Sequence, residues 1–305
     1  MRFRGALVVL LVALAVACWG AAPAGASSRT PFRAHVRHAA IHGGQIAWYE
    51  RGSGPPLMIL MGTGSTMAEW DPALLSLLAR RHRLVMFDYP GIGWSGPWRE
   101  PRTFAGLADG VARFMAAIGV GKADVLGWSM GGFVAQQLAI RHPSRVTRLV
   151  LAGTNPGGGR AVLGTKEHQE LDSNPDPSLA EVLGDELYPP NELPEGYAFA
   201  HRLETASQSG VIPNDFHVPA ATVDAQVAAE NPWLLSSTNF AQLGSLPMPV
   251  LATGGREDPV VPPINLVKIA RRVPDARLRL FAGAHAFLFQ QRVAFSKVVD
   301  GFLAG

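Results

Sequence analysis

Four short, largely apolar segments in the first half of the chain constrain its fold more strongly than any other feature. Each has four or five residues, and each is followed by a turn sequence that contains glycine. Segments of this length, bounded in this way, are typical of parallel strands that are buried on both faces of a sheet. The four segments are Leu57-Met58-Ile59-Leu60-Met61, Leu84-Val85-Met86-Phe87, Ala123-Asp124-Val125-Leu126 and Arg148-Leu149-Val150-Leu151.

Helical patterns separate these segments, with leucine, valine or alanine recurring at spacings of three and four residues. This alternation predicts an α/β fold with a doubly wound, mostly parallel sheet and right-handed crossovers. A hairpin-like segment at 39–50 precedes the first buried strand. In such sheets ligands bind beyond the carboxyl ends of the strands, where Gly62, Asp88 and Ser129 fall. The predicted helices cover residues 71–81, 104–118 and 131–142.

The alternation stops after Leu151 and resumes near residue 250. The intervening segment, 157–245, is rich in proline, glycine and asparagine, and it holds 13 Asp and Glu against three Lys and Arg. We expect it to form a mainly helical cap inserted over the site, with residues 27–156 and 246–305 as the α/β core. The second part of this core has predicted strands at 250–253 and 277–280, a helix at 264–272 and a closing helix that ends at Leu303.

The N-terminus has the pattern of a secretory signal. Arg2 and Arg4 precede an uncharged run from Gly5 to Ala17, and a stretch of small residues follows. The run is shorter than the roughly 20 residues that a membrane span needs. We therefore expect residues 1–26 to be a signal peptide that is cleaved before Ser27, and the mature protein to be secreted.

The single cysteine, Cys18, offers an alternative to simple secretion. The sequence Ala15-Val16-Ala17-Cys18 loosely resembles a bacterial lipoprotein box, although leucine is missing from its first position. A lipidated Cys18 would attach the protein to the membrane, whereas cleavage before Ser27 would remove it. In either case the folded body has no cysteine, which excludes disulfides, a cysteine nucleophile and thiolate metal sites.

The charge balance gives no indication of a nucleic-acid partner. Once the two leader arginines are subtracted from 27 Lys and Arg, the remainder nearly matches the 24 Asp and Glu. The glycine-rich turn Gly62-Thr63-Gly64-Ser65 also lacks the lysine of a phosphate-binding loop and the full dinucleotide fingerprint. No nucleotide or nucleic-acid site is therefore expected.

The sequence Gly127-Trp128-Ser129-Met130-Gly131-Gly132 lies between a predicted strand and a predicted helix. This is a G-x-S-x-G pattern in the context of a sharp strand-to-helix turn that projects a reactive serine. Glycines two residues to either side of Ser129 let the strand and helix backbones approach each other. Ser129 is the candidate nucleophile.

A serine needs a base and an acid that orients this base, and on such a sheet they follow the serine in the order Asp, His. Asp258 comes shortly after the strand that ends at Thr253, and His285 comes shortly after the next strand. Asp88 and Glu257 are rival acids. Asp88 precedes the serine in the chain, however, and is better explained as a residue that stabilises its own turn.

Backbone N–H groups of the turn at 62–65 could bind an oxyanion together with the N–H of Met130, the residue that follows the nucleophile. Four residues adjoin these positions in sequence, which makes them candidate substrate contacts. They are Gly62, Trp128, Phe287 and Leu288.

Five motifs in this order resemble the α/β-hydrolase superfamily, over roughly residues 40–303. Within it, the chain looks most like the capped bacterial branch that includes esterases and haloperoxidases. The chain departs from the usual pattern at Met61, where most relatives have histidine, and at Ala284, where most have glycine. The motifs are Leu60-Met61-Gly62-Thr63-Gly64, Phe87-Asp88-Tyr89-Pro90-Gly91-Ile92-Gly93-Trp94-Ser95, Gly127-Trp128-Ser129-Met130-Gly131-Gly132, Gly255-Arg256-Glu257-Asp258 and Ala284-His285.

The resemblance implies an α/β-hydrolase fold and a serine hydrolase that forms an acyl-enzyme on Ser129, with His285 as the base and Asp258 orienting it. It implies Thr63 as the second oxyanion donor and requires no metal or organic cofactor. We expect the partner to be a small-molecule ester-like substrate, specifically a small to medium, apolar carboxylic ester or lactone. Perhydrolase or haloperoxidase, aminopeptidase and carbon–carbon hydrolase chemistry on the same triad are alternatives, and a non-catalytic ligand-binding protein of the same fold is another.

Overall fold

An eight-stranded sheet forms the centre of the computed structural model, which describes residues 32–42, 44–97, 103–171 and 178–305. The strand order is β1-β2-β4-β3-β5-β6-β7-β8. The pairs β1–β2 and β2–β4 are antiparallel, and every other neighbouring pair is parallel. The strands are β1 (Arg37–Ile41), β2 (Gly44–Arg51), β3 (Pro56–Leu60), β4 (Arg83–Phe87), β5 (Ala123–Trp128), β6 (Val146–Ala152), β7 (Val250–Gly255) and β8 (Ala276–Phe281).

The apolar segments of the sequence are the strands of this sheet, and their burial explains their composition. Every residue of β5 and of β7 is buried, and in β3 only Pro56 retains partial exposure. A strand covered on both faces has no solvent-facing side chains, so its sequence shows no alternation. The predicted α/β fold with a mostly parallel, doubly wound sheet is confirmed.

Helices connect the parallel strands and pack on the sheet, in pairs such as α2 with α3 and α1 with α11. The predicted helix at 71–81 begins at Pro72, after the capping residue Asp71, whose Oδ1 atom is 2.6 Å from the N atom of Ala73, and it ends earlier than predicted, at Leu78. The core helices are α1 (Pro72–Leu78), α2 (Phe104–Ala117), α3 (Met130–Arg141), α9 (Ile264–Arg272), α10 (Phe287–Gln290) and α11 (Arg292–Leu303).

Between β6 and β7 the chain forms the inserted, mainly helical segment. Its helices are α4 (Lys166–Leu171), α5 (Leu179–Glu181), α6 (Leu193–Gln208), α7 (Ala220–Leu235) and α8 (Thr238–Leu243), and a π-helical stretch, Val182–Leu187, follows α5. We call residues 157–245 the cap, with the bounds predicted from the sequence. Across the part of the chain that the structure describes, no helix is long and apolar enough to cross a membrane. The predicted signal peptide and Cys18 lie outside the described residues.

An ion-pair network joins the cap to the core. Arg202 on α6 binds Asp71, whose carboxylate is fully buried, at an N–O distance of 2.8 Å. Arg202 also contacts Glu195, and Glu195 in turn contacts Arg292 at the start of α11. Because Asp71 is buried with its partner, removing the arginine would leave an uncompensated charge. The network therefore holds α6 against the core.

Candidate active site

Ser129 occupies the turn between β5 and α3 in a strained backbone conformation. Its φ and ψ angles are 55° and −123°, and it is the only non-glycine residue with positive φ among those described. A Cβ atom at Gly127 would clash with the carbonyl of Gly131, and one at Gly131 would clash with the carbonyl of Leu60. Strain of this kind costs on the order of 1–3 kcal/mol and is characteristic of functional sites. The G-x-S-x-G sequence thus forms the sharp turn it predicted.

His285 and Asp258 form a buried pair on the loops that follow β8 and β7. The Nδ1 atom of His285 is 2.8 Å from Oδ2 of Asp258, and each side chain is 1% exposed. The other carboxylate oxygen, Oδ1, accepts hydrogen bonds from the backbone N–H groups of Val260 and Val261. The carboxylate is therefore fixed from one side by its own loop and presents its second oxygen to the imidazole.

The backbone brings the serine to this pair through Ala152 and Gly153, at the end of β6. Ser129 donates its backbone N–H to the Ala152 carbonyl. A Cβ atom at Gly153 would lie 3.3 Å from Cε1 of His285 and 3.5 Å from Oδ2 of Asp258. The structure thus collects the three predicted residues at the carboxyl ends of neighbouring strands.

One contact of the predicted triad is not formed in this structure. The Nε2 atom of His285 is buried without a hydrogen-bond partner. Ser129 is 3% exposed, and its Oγ atom makes no hydrogen bond to any residue in the described ranges. Catalytic hydrogen bonds are often long in a free enzyme and tighten when substrate binds.

The predicted oxyanion donors flank the serine. A Cβ atom at Gly62 would lie 3.5 Å from Cβ of Ser129, so the turn at residues 62–65, which we call the oxyanion turn after its predicted role, packs directly on Ser129. Within the described chain, no group accepts a hydrogen bond from the backbone N–H of Thr63 or Met130. The next N–H along the turn, that of Gly64, is already bonded to the side chain of Gln226 in the cap, at 2.8 Å.

The two rival carboxylates have other partners. Glu257 accepts the backbone N–H of Gly283 and so holds the turn that leads to His285. Asp88 accepts the N–H groups of Met67 and Trp94, at 2.7 and 3.2 Å, and ties together two loops. Of the three carboxylates, Asp258 is the one that contacts the histidine ring.

The two departures from the usual family pattern fit without strain. In the turn before His285, the left-handed conformation falls on Gly283, whose φ is 108°. Ala284 has negative φ, so a methyl group is accommodated there. Met61 is 1% exposed and belongs to the core beside the oxyanion turn.

The candidate substrate contacts have different environments. Trp128 donates its indole N–H to the carbonyl of His285 at 3.1 Å, and the two rings lie 5.4 Å apart. Phe287 packs in the core against Phe281 and Phe295. Leu288 is fully buried. Trp128 therefore also acts as a support for the histidine loop, and Phe287 contributes to the core beneath it.

An aromatic cluster beside the serine was not anticipated from the sequence. The ring centroid of Phe289 lies 5.3 Å from that of Trp128, 5.6 Å from that of Trp70 and 5.0 Å from that of Phe199, which is on cap helix α6. Sequence adjacency to His285 pointed to Phe287 and Leu288 instead. In the short helix α10, Phe287 and Phe289 point in different directions, and Phe289 is the one that meets the cap.

Direct hydrogen bonds join the cap to the histidine loop. The backbone N–H groups of His285 and Ala286 point to the carbonyls of Glu186 and Leu187 in the π-helical stretch, at 3.4 and 2.9 Å. Gln290 also reaches Glu192 of the cap, at 2.6 Å. Cap position and histidine position are therefore coupled.

Two buried carboxyl groups lie next to the oxyanion turn. Burial raises the pKa of Glu69 to about 8, partly offset by hydrogen bonds from Thr66. Burial likewise raises the pKa of Asp88 to about 7, against the opposing effect of its two backbone donors. Among the described residues, no group of three or more His, Cys, Asp or Glu is arranged to hold a metal ion.

The free energy of unfolding should fall as pH rises, because the buried carboxyl of Glu69 has a raised pKa in the folded protein. In the folded protein this carboxyl stays protonated up to about pH 8, whereas in the unfolded chain it ionises near its ordinary value of 4.5. Unfolding between these values releases a proton, which lowers the free energy of unfolding by up to about 1.4 kcal/mol per pH unit. Glu69→Gln should flatten this dependence, measured by urea unfolding at pH 5, 6, 7 and 8.

The exposed Glu167 provides the matched control, because Glu167→Gln removes a carboxylate that is not buried. It should keep the wild-type dependence on pH. An identical pH dependence in wild type and Glu69→Gln would contradict the assignment of the effect to Glu69.

Sequence and structure comparisons agree on one family. The family model described as "alpha/beta hydrolase fold" matches residues 55–291. A protein of Azorhizobium caulinodans named "Putative carbamate hydrolase RutD" is 29% identical over 269 residues, covering 86% of this chain and 96% of that protein. The poly(3-hydroxyalkanoate) depolymerase of Ectopseudomonas oleovorans is 29% identical over 256 residues, covering 81% and 84%.

A solved structure shows the same architecture. The alpha/beta hydrolase fold protein from Chitinophaga pinensis superposes with a TM-score of 0.78 at 24% identity, covering 88% of this chain and 97% of that one. The protein is therefore of the α/β class, and its candidate site lies at the carboxyl edge of a mostly parallel sheet. The chain belongs to the α/β hydrolase fold family, and this family together with its relatives identifies it as a hydrolase.

Proposed function

We propose that this protein is a serine hydrolase that forms an acyl-enzyme on Ser129 and acts on small to medium, apolar carboxylic esters or lactones. The observation that carries the proposal is the buried His285–Asp258 pair beside a serine held at positive φ. The unused N–H groups of Thr63 and Met130 beside that serine supply the remaining requirement, a site for an oxyanion.

The hydrogen bond to Asp258 determines which ring nitrogen of His285 carries the proton. Because Asp258 accepts from Nδ1 of His285, the neutral ring carries its proton there and leaves Nε2 with a free lone pair. Nε2 can then take the proton of Ser129 Oγ as this oxygen attacks the carbonyl carbon. The carboxylate stabilises the imidazolium that forms.

The remaining steps use the same groups. The N–H groups of Thr63 and Met130 donate to the carbonyl oxygen as it becomes negatively charged. His285 returns its proton to the departing alcohol, which leaves the acyl group on Ser129. A water molecule then gives a proton to His285 and attacks the acyl carbon. The bond between this carbon and Ser129 Oγ breaks, His285 returns the proton to Oγ, and the acid is released.

The surroundings of the serine favour an apolar ester. Trp128, Trp70, Phe289 and Phe199 form a continuous aromatic cluster beside it. Large aromatic groups with a few polar groups are typical of small-molecule pockets. The poly(3-hydroxyalkanoate) depolymerase among the relatives is named for a polyester, and this supports ester chemistry here.

The same triad could serve perhydrolase or haloperoxidase, aminopeptidase or carbon–carbon hydrolase chemistry, and substrates distinguish these activities. We expect turnover of p-nitrophenyl acetate and butyrate. Release from prolyl naphthylamide would instead indicate the peptidase. Halogenation of chlorodimedone with peroxide and acetate would indicate the perhydrolase. A protein that is stabilised by ligands yet turns over none of these substrates would be the non-catalytic binding protein.

We also propose export, directed by the N-terminal leader. When the full chain is expressed in a bacterial host, the exported protein should begin at Ser27 and have the mass of residues 27–305. Intact-mass spectrometry of the extracytoplasmic fraction checks this. Cys18→Ala should leave both the mass and the yield unchanged.

The alternative outcomes of this experiment are distinct. A product that begins at Cys18 with added lipid mass, lost in Cys18→Ala, would show membrane attachment through this cysteine. An uncleaved chain recovered from the cytoplasm would contradict export.

A further inference from the structure

Gln226, on cap helix α7, is a buried polar residue in direct contact with the oxyanion turn. Its side chain is fully buried, and its Oε1 atom accepts the backbone N–H of Gly64 at 2.8 Å. This bond fixes the orientation of the amide, so that Nε2 is the group left to donate. Nε2 is buried and has no hydrogen-bond partner in the described structure.

A buried amide donor without an acceptor is unfavourable, so such groups call for an explanation. Oγ1 of Thr63, in the oxyanion turn, and Nε2 of His285 are also buried without a hydrogen-bond partner in the described structure. In the proposed mechanism the histidine atom obtains its partner from the reacting groups. Gln226 contacts the same turn, so its Nε2 atom can likewise obtain a hydrogen-bond acceptor from the substrate.

The oxyanion turn defines which part of a substrate Gln226 would meet. The carbonyl oxygen binds at the N–H groups of Thr63 and Met130, and the leaving group must point toward His285, which protonates it. Gln226 is held at Gly64, one residue beyond Thr63, on the oxyanion side. A donor held on this side is available to the acyl part of the substrate, which points away from His285.

We propose that Gln226 determines specificity by donating a hydrogen bond from Nε2 to a second oxygen on the acyl group. The preferred substrates are then esters whose acyl chain carries a hydroxyl, ether or carbonyl oxygen near the scissile carbonyl. This inference rests on the proposed function and deepens it. A site built to bond a polar group discriminates strongly against the analogue that lacks it.

Paired substrates of equal shape test the proposal. Methoxyacetate and butyrate p-nitrophenyl esters differ by one ether oxygen in place of a methylene, as do 3-methoxypropionate and pentanoate. The ratio of kcat/KM within each pair is measured for wild type, Gln226→Met and Gln226→Glu. Comparing ratios between proteins cancels the intrinsic reactivity of the esters.

Gln226→Met removes both hydrogen bonds, whereas Gln226→Glu keeps an oxygen that accepts from Gly64 and can donate only while its buried carboxyl is protonated. We expect at least one pair to lose about tenfold of its preference for the oxygenated ester in Gln226→Met, and to show the same loss in Gln226→Glu once rising pH has ionised its carboxyl. Gln208→Met, on the exposed face of cap helix α6, should keep the wild-type ratio. Equal losses on both esters of each pair would show that Gln226 only holds the turn, and would overturn the proposal.

Labelling by a fluorophosphonate separates this result from a failure of the proposed function. A wild type that is labelled at Ser129 and hydrolyses the esters, with ratios unaffected by Gln226→Met, would refute the role of Gln226 alone. A folded wild type with neither labelling nor turnover would refute both proposals.

Discussion

Ser129→Ala should lower kcat for p-nitrophenyl butyrate by about a millionfold, with folding unchanged. The substitution removes the attacking oxygen and nothing else, and losses of this size accompany removal of the serine in enzymes of this mechanism. Alanine has the same backbone preferences as serine at φ 55°, so the turn carries no new strain. Steady-state kinetics with circular dichroism and thermal unfolding check the prediction.

Ser296 provides the matched control for this experiment. It is a buried serine on α11, and its hydroxyl donates only to a carbonyl of its own helix. Ser296→Ala should therefore retain wild-type kcat. A folded Ser129→Ala protein that keeps more than about one hundredth of the wild-type rate would exclude Ser129 as the nucleophile.

Asp258→Asn should lower kcat by about ten-thousandfold, because it reverses the tautomer of His285. The Val260 and Val261 N–H groups bind Oδ1, so they will hold the amide oxygen of the asparagine in that position. The NH₂ group then faces Nδ1 of His285 and donates to it. This places the ring proton on Nε2, where the base can no longer accept the proton of the serine.

The neighbouring rival carboxylate supplies the control for Asp258. Glu257→Gln keeps an oxygen that can accept the N–H of Gly283, and we expect its kcat to stay within about tenfold of wild type. Fluorophosphonate labelling should be slow in Asp258→Asn and near normal in Glu257→Gln. The reverse pattern would show that Glu257 is the acid.

The sheet and the three candidate catalytic residues can be predicted from the sequence because the signals for them lie in short stretches of the chain. Ser129 and Asp258 follow the buried strands β5 and β7, and His285 follows the edge strand β8, each within a few residues. Parallel strands end at one edge of a sheet. Burial of β5 and β7 made their sequences largely apolar, and the tight turn at Ser129 required glycine on both sides. Local sequence therefore contained the information that places them together.

The cap contacts could not be predicted because nothing local encodes them. Gln226 meets Gly64, and Arg202 meets Asp71, across more than 100 positions of the chain. The cap has no strand alternation, and its polar residues give no sign of which ones turn inward. The role of Phe289 was missed for a related reason, since adjacency to His285 does not show which ring of α10 faces the cap.

The most direct test of the central claim is to find which residue a fluorophosphonate modifies. The residue 27–305 protein is treated with the probe, digested, and the labelled peptide is sequenced by mass spectrometry. The account predicts a single adduct on Ser129 that forms in parallel with loss of esterase activity and is absent from Ser129→Ala. A folded, ester-hydrolysing protein with its adduct on another residue, or with none, would contradict it.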